Sequence, residues 1–169
     1  QDYVDWQRGL VESGQLDDRI SALVDELEPR SSALALPRGH AHADDPGVTR
    51  LVLSAEQDEQ IRDVAKRVGV TVPVIVLTAV QVVLARWHGA NDFAIGVPLI
   101  GRPSYRFERT VGMFTNALPV ASITGDATTT TEAITLTQER LVRALANQDV
   151  PFELLVERLA PQRDDTRPP

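Results

Sequence analysis

Residues 70–98 read VTVPVIVLTAVQVVLARWHGANDFAIGVP, and the fold class turns on whether the valine-rich first part is strand or helix. β-Branched side chains favour strands. The apolar run from Val70 to Ala85, however, goes far beyond the ~5–6 residues of an ordinary strand, and its apolar residues fall on nearly every face of a helix. Thr71 or Val72 is placed to cap that helix. Pro73 lies in its first turn, where a missing N–H does no harm. The reading is a central, buried helix ending at His88-Gly89. Asn91-Asp92 then signals a turn, and Phe93-Ala94-Ile95-Gly96-Val97 reads as a buried strand closed by Pro98.

Upstream, Val48 to Leu53 suggests a strand, and Ser54-Ala55-Glu56-Gln57 supplies a capping box for a helix with Ile61, Val64, Ala65 and Val68 on one face and Gly69 at its end. Tyr3 to Leu27 reads as two short helices parted by Ser13-Gly14, with Leu16, Ile20, Leu23, Val24 and Leu27 aligned. Pro29 to Gly47 has no sustained period and reads as an extended connection. Downstream, an irregular loop, Leu99 to Thr110, carries Arg102, Arg106 and Arg109. A second strand runs from Phe114 to about Ile123. Thr129-Thr130-Thr131-Glu132 offers another capping box, for a helix with Ala133, Ile134, Leu141, Ala144 and Leu145 in one arc. Phe152, Leu155, Val156 and Leu159 form the stripe of the last helix. Between these two helices lies Asn147-Gln148-Asp149-Val150-Pro151-Phe152-Glu153. There Pro151 fits a first helical position and Glu153 can fold back to the N–H of Val150.

This order indicates an α/β fold, helices layered on a small mixed sheet. Residues 1–47 divide off as a helical segment and linker, and 48–169 as a subdomain. With about three strands visible, the sheet would leave open edges, so further sheet partners are expected outside these residues.

The composition, 43% hydrophobic and 24% charged over 169 residues, is that of a globular domain. A formal charge of −7 argues against a nucleic-acid surface, and the absence of cysteine removes disulfides and thiolate chemistry. The N-terminal residues lack the pattern of a secretory signal, and the apolar run falls short of a bilayer span. No membrane association and a cytoplasmic location are the expectation. His40, His42 and Asp44 form a His-x-His-x-Asp run that reads as solvated loop, and no metal site is assigned. His88 is expected to satisfy the last carbonyls of its helix. No nucleophile elbow, phosphate loop or His-Glu-x-x-His motif occurs. Within the basic loop, Arg102 stands between Gly101 and Pro103, the arginine expected to aim into a cleft. Gly112 permits a close backbone approach, and Asn116 could satisfy neighbouring backbone.

Together these segments resemble the condensation domains of nonribosomal peptide synthetases. Asp2-Tyr3-Val4-Asp5-Trp6-Gln7 resembles part of Y-x-D-Y-A-x-W-Q, with Asp5 for alanine. Val111-Gly112-Met113-Phe114-Thr115-Asn116 resembles I-G-x-F-V-N-T, departing at Thr115 and Ala117. Asn147 to Glu153 matches H/N-Q-D-x-P-F-E throughout, and Arg163-Asp164-Asp165-Thr166-Arg167 resembles R-D-x-S-R. The family's H-H-x-x-x-D-G motif is absent.

The resemblance implies an internal piece of such a domain, mainly its C-terminal half, in a chloramphenicol-acetyltransferase-like fold. It also implies amide formation between carrier-bound thioesters, with the piece inactive alone for want of the motif histidine. No cofactor is expected to bind directly; phosphopantetheine arrives on upstream and downstream peptidyl carrier proteins. The missing N-terminal half and an adjacent adenylation domain are the other partners. Arg102 is implied as structural support for the histidine loop, Asn147 as a supporting residue facing the cleft, and Met113, Asn116 and Gln148 as substrate-binding. Arg109-Thr110-Val111-Gly112-Met113-Phe114-Thr115 also resembles the R-T-V-G-W-F-T of epimerisation domains, and a noncatalytic recruitment module is a third reading.

Overall fold

In the computed structural model, which describes residues 2–28, 50–102, 104–123, 125 and 129–159, the valine-rich segment is a helix from Val72 to His88. The described elements run α1 (Asp2–Glu12), α2 (Asp17–Leu27), α3 (Ala55–Val68), α4 (Val72–His88), β1 (Ala94–Ile100), β2 (Thr115–Ala121), α5 (Thr130–Ala146) and α6 (Phe152–Leu159), with a 3-10 turn at Tyr105–Phe107. The Pro29–Gly47 connection, the His40-x-His42-x-Asp44 run and the Arg163–Arg167 motif lie outside the described residues.

Local chemistry fixes most helix ends. Ser54 accepts from the Gln57 N–H at 3.2 Å while the Gln57 side chain accepts from the Ser54 N–H at 2.9 Å, a complete capping box for α3. Gly69 closes α3 at φ +77°, a left-handed conformation that a Cβ would strain. Its N–H returns to Ala65 O, and the chain turns directly into α4. At α5 the Thr129 side chain accepts from the Glu132 N–H at 3.2 Å.

β1 and β2 form an antiparallel ribbon with Ala94 opposite Ala121 and Ile100 opposite Thr115. Pro98 does not close the first strand as expected. It sits inside β1 opposite Ala117, and Pro119 sits inside β2 opposite Gly96. In a two-stranded ribbon each strand has a free edge toward which a missing N–H can point. Leu118, Val120 and Ala144 form one core with Leu77, Val97, Leu99 and Leu141, so α4 and α5 lie on one face of the ribbon. A second core joins Leu16, which precedes α2, and Ile20 and Leu23 within it to Val150 and Leu155. It fastens the N-terminal helices to the last helix.

Three further expectations are corrected. Residues 50–54 form no strand: Leu51 and Val52 are 84% and 77% exposed, because no described strand offers them a ladder. α4 is buried on one side only. Its buried stripe is Val74, Thr78, Gln81 and Ala85, while Val76, Val80, Val83 and Trp87 face outward, so its two mid-helix polar residues lie inside and three of its valines outside. Leu145, placed in the α5 arc, is exposed instead, since α5 turns that side away from the ribbon. Among the described residues the sheet has two strands, and no single helix is long and apolar enough to cross a membrane.

Candidate functional site

The segments that carry the sequence resemblance come from opposite ends of the chain, and they meet. Tyr3 and Trp6 project from α1 onto the loop between β1 and β2. The Tyr3 ring stands edge-on to Phe107 at 5.2 Å and to Phe114 at 4.7 Å, and Trp6 lies 5.4 Å from Phe107. Two arginines cover this aromatic cluster, Arg102 at 4.2 Å from the Phe114 centroid and Arg106 at 4.5 Å from that of Phe107.

Arg102 does not reach into a cleft as expected. Its guanidinium turns back on its own loop and donates to the carbonyls of Phe107, Glu108 and Thr110, the latter two at 3.1 and 3.0 Å. Phe107 O also accepts from the Thr110 N–H, while the Glu108 and Thr110 carbonyls lie at and beyond the end of the short turn, where the Arg102 cation meets them. No carboxylate of the described residues pairs with it. Gly101, just before it, donates to Phe114 O at 2.7 Å, which closes the base of the loop. Ile100 at the end of β1 and Tyr105, Val111 and Met113 of the loop are left exposed, Met113 at 91%.

The second half of the site is the turn from α5 into α6. Asn116, in β2, holds it with both ends of its amide. Nδ2 donates to Gln148 O at 3.0 Å and Val150 O at 2.8 Å, and Oδ1 accepts from the N–H groups of Ala117 and Phe152. The donor from Phe152 makes Asn116 the cap of α6. Glu153 therefore does not fold back to Val150 as expected; the Val150 N–H goes to Asn147 O at 3.0 Å.

From the other side Arg19 of α2 grips the same turn. Nε donates to Asn147 Oδ1 at 2.9 Å, and one terminal nitrogen donates to Asp149 Oδ2 at 2.9 Å. The other donates to Ala146 O at 2.9 Å and to Asp149 Oδ1. Asn147 also donates from Nδ2 to Arg143 O, so both ends of its amide are engaged within the fold. Gln148 is half-buried, and its side chain holds no hydrogen bond among the described residues. His88 does not satisfy helix carbonyls: its Nε2 is buried without a partner there, and its ring stacks on Trp87.

The two halves communicate electrostatically. Partial burial alone would raise the Asp149 carboxyl. The hydrogen bonds from Arg19 and from its own backbone N–H, with the Arg19 charge, outweigh burial and hold it below its ordinary value. Burial and then the Asp149 charge raise the Tyr3 phenol. Asp149 thus contributes stability that is fully present above the ~3.9 of an unfolded aspartate and is lost as pH falls through its lower folded value. Urea unfolding from pH 6 down to pH 2 is expected to show a loss that Asp149→Asn shows to a smaller degree. Parallel pH profiles for the two would refute the contribution.

Arg19 went unnoticed in the sequence because nothing near it marks it out. It precedes Ile20 on an acidic helix, and its partners lie 128 and 130 residues away. No group of three or more His, Asp or Glu residues able to hold a metal occurs among the described residues.

A family model described as "Condensation domain" matches residues 1–169. The isonitrile lipopeptide synthase of Mycobacterium tuberculosis is 33% identical over 180 residues, covering 99% of this chain and 7% of that protein. Among solved structures, the X-domain from teicoplanin biosynthesis in complex with OxyB superposes with a TM-score of 0.80 at 25% identity, covering 99% of this chain and 39% of that one. The first condensation domain of the calcium-dependent antibiotic synthetase gives a TM-score of 0.78 at 23% identity, covering 93% and 35%. The chain therefore spans a small part of its curated relatives and little more than a third of these solved domains.

Proposed function

Since this chain belongs to the condensation-domain family of nonribosomal peptide synthetases, whose chloramphenicol-acetyltransferase-like fold it shares, we propose that it forms one wall of a chamber for amide bond formation. The substrates are an acyl thioester and an amine, each presented on the phosphopantetheine arm of a peptidyl carrier protein. The amine nitrogen attacks the thioester carbonyl carbon, the C–S bond breaks, and the proton lost from nitrogen ends on the departing sulfur. A base and an oxyanion donor lower that barrier. The base is the histidine of an H-H-x-x-x-D-G segment, which this sequence does not contain.

The observation that carries the reading is the meeting of three resemblance-bearing segments, around Tyr3, Asn116 and Asn147, in one continuous site. In this reading Arg102 and Asn147 support rather than react, one by holding the loop and the other by closing α5. Gln148, whose amide is uncommitted, and the exposed Met113 meet the substrate, and Asn116 sets the turn that presents them. The remaining half of the domain and an adjacent adenylation domain complete the machine.

Purified alone and given two loaded carrier proteins, the chain is expected to form no amide, while the full-length protein that carries it forms one. Amide formed by the chain alone would overturn the dependence on the missing histidine. The likeness to the X-domain structure with OxyB supports a second reading, a module that recruits a partner enzyme without bond formation. A full-length protein that forms no amide but retains a bound oxygenase would decide for it. Exchange of an α-proton with solvent deuterium would decide for epimerisation.

A further inference from the structure

We propose that Arg19 is a positioning residue of the acyl-transfer site, acting from α2 through the turn at Asn147–Asp149; this role rests on the function proposed above. The turn's exposed backbone and side-chain groups are accounted for almost completely by two residues. Arg19 takes Ala146 O, Asn147 Oδ1 and both Asp149 oxygens, and Asn116 takes Gln148 O, Val150 O and the Phe152 N–H. Between these two anchors the side chain left uncommitted is that of Gln148. A planar guanidinium fits this arrangement because its fork addresses a carboxylate, an amide oxygen and a carbonyl simultaneously, which the single point of a lysine ammonium cannot do.

Other observations show that the grip is directional. The α2–α6 core of Leu16, Ile20, Leu23, Val150 and Leu155 already holds these helices together without Arg19. A second bridge, Arg143 to Glu26 at 3.7 Å, runs the opposite way from α5 to α2. Arg19 is thus not needed to dock α2; what it adds is a hold from α2 on Ala146 O and on the side chains of Asn147 and Asp149. Small displacements of a substrate-facing group cost far more in rate than in folding. Arg19 also offsets the charge of Asp149, which acts on the Tyr3 phenol.

The test uses the full-length protein with loaded carrier proteins and compares wild type with Arg19→Ala, Arg19→Lys and Asp149→Asn, with Arg62→Ala on the exposed face of α3 as control. Arg19→Ala is expected to lower kcat roughly 10- to 100-fold with little change in KM. Added guanidinium ion should restore part of that loss, since the Arg19 and Asp149 side chains are 34% and 21% exposed and the vacated place is open to solvent. Arg19→Lys should keep the charge, lose most of the rate and gain nothing from guanidinium. Arg62→Ala should leave both constants unchanged. Should Arg19→Ala not fold by circular dichroism, Arg19→Lys and Asp149→Asn carry the comparison.

Wild-type kcat in folded Arg19→Ala, or in folded Arg19→Lys where that variant stands in, overturns the positioning role, as does a loss that guanidinium leaves untouched in Arg19→Ala. An inactive wild type overturns the acyl-transfer reading itself, and so is distinguishable from failure of the positioning role alone.

Discussion

Gly101→Ala is expected to lower the unfolding free energy by about 2–3 kcal/mol, at the upper end of overpacking costs. The added Cβ would overlap the Phe114 carbonyl oxygen, a contact no side-chain rotation can relieve because the Cβ position is fixed by its own backbone and the oxygen is backbone. The same oxygen accepts the Gly101 N–H at 2.7 Å. The strands must therefore part, and the hydrogen bond at the base of the Arg102 loop goes with them. Gly96→Ala is the matched control, since nothing lies within 4 Å of its Cβ position. It should be within about 0.5 kcal/mol of wild type. Equal denaturation midpoints for the two variants would show that close approach does not constrain Gly101.

Asn116→Ala should cost about 2–4 kcal/mol, because four hydrogen bonds, to Gln148 O, Val150 O, Ala117 N and Phe152 N, disappear together. Each is worth about 1 kcal/mol net, and a buried partner left unmet costs more. Asn116→Asp separates the contributions. Its carboxylate keeps the two acceptor bonds but faces two carbonyl oxygens where an amide donated. It should be no better than alanine at neutral pH and should improve on acidification. Thermal unfolding of both variants at pH 7 and pH 4 checks this; an Asp variant as stable as wild type at pH 7 would show that the amide donors are dispensable.

Much of the fold could be read from the sequence because its signals are local. The Ser54 capping box, the turn at Gly69 and the helical length of the valine-rich run each depend on residues within a turn or two. The failures have a common cause in longer range. Leu51 and Val52 have strand chemistry but no partner strand, and ladder formation is a property of two segments. The outer face of α4 looks like core in composition, yet composition does not say which neighbours are present. At the site, sequence located the turn at Asn147 and the arginine loop. It could not show that Arg102 folds back on its own carbonyls, or that Arg19 and Asn116 reach the turn from two sides. Those contacts are fixed by how α2 and β2 pack, which no spacing along the chain encodes.

The grip of residue 19 on residues 147 and 149 also orders events in time. A chain emerging N-terminus first makes α1 and α2 well before their docking partners Val150 and Leu155 exist. The site is therefore closed by the contacts of greatest sequence separation, whose loop entropy must be overcome before they stabilise anything. The N-terminal helix pair waits with its apolar stripe uncovered until α6 is made. A released chain ending at Ala146 should accordingly leave Leu16, Ile20 and Leu23 open to a chaperone, and a released chain extended through Leu159 should shield them.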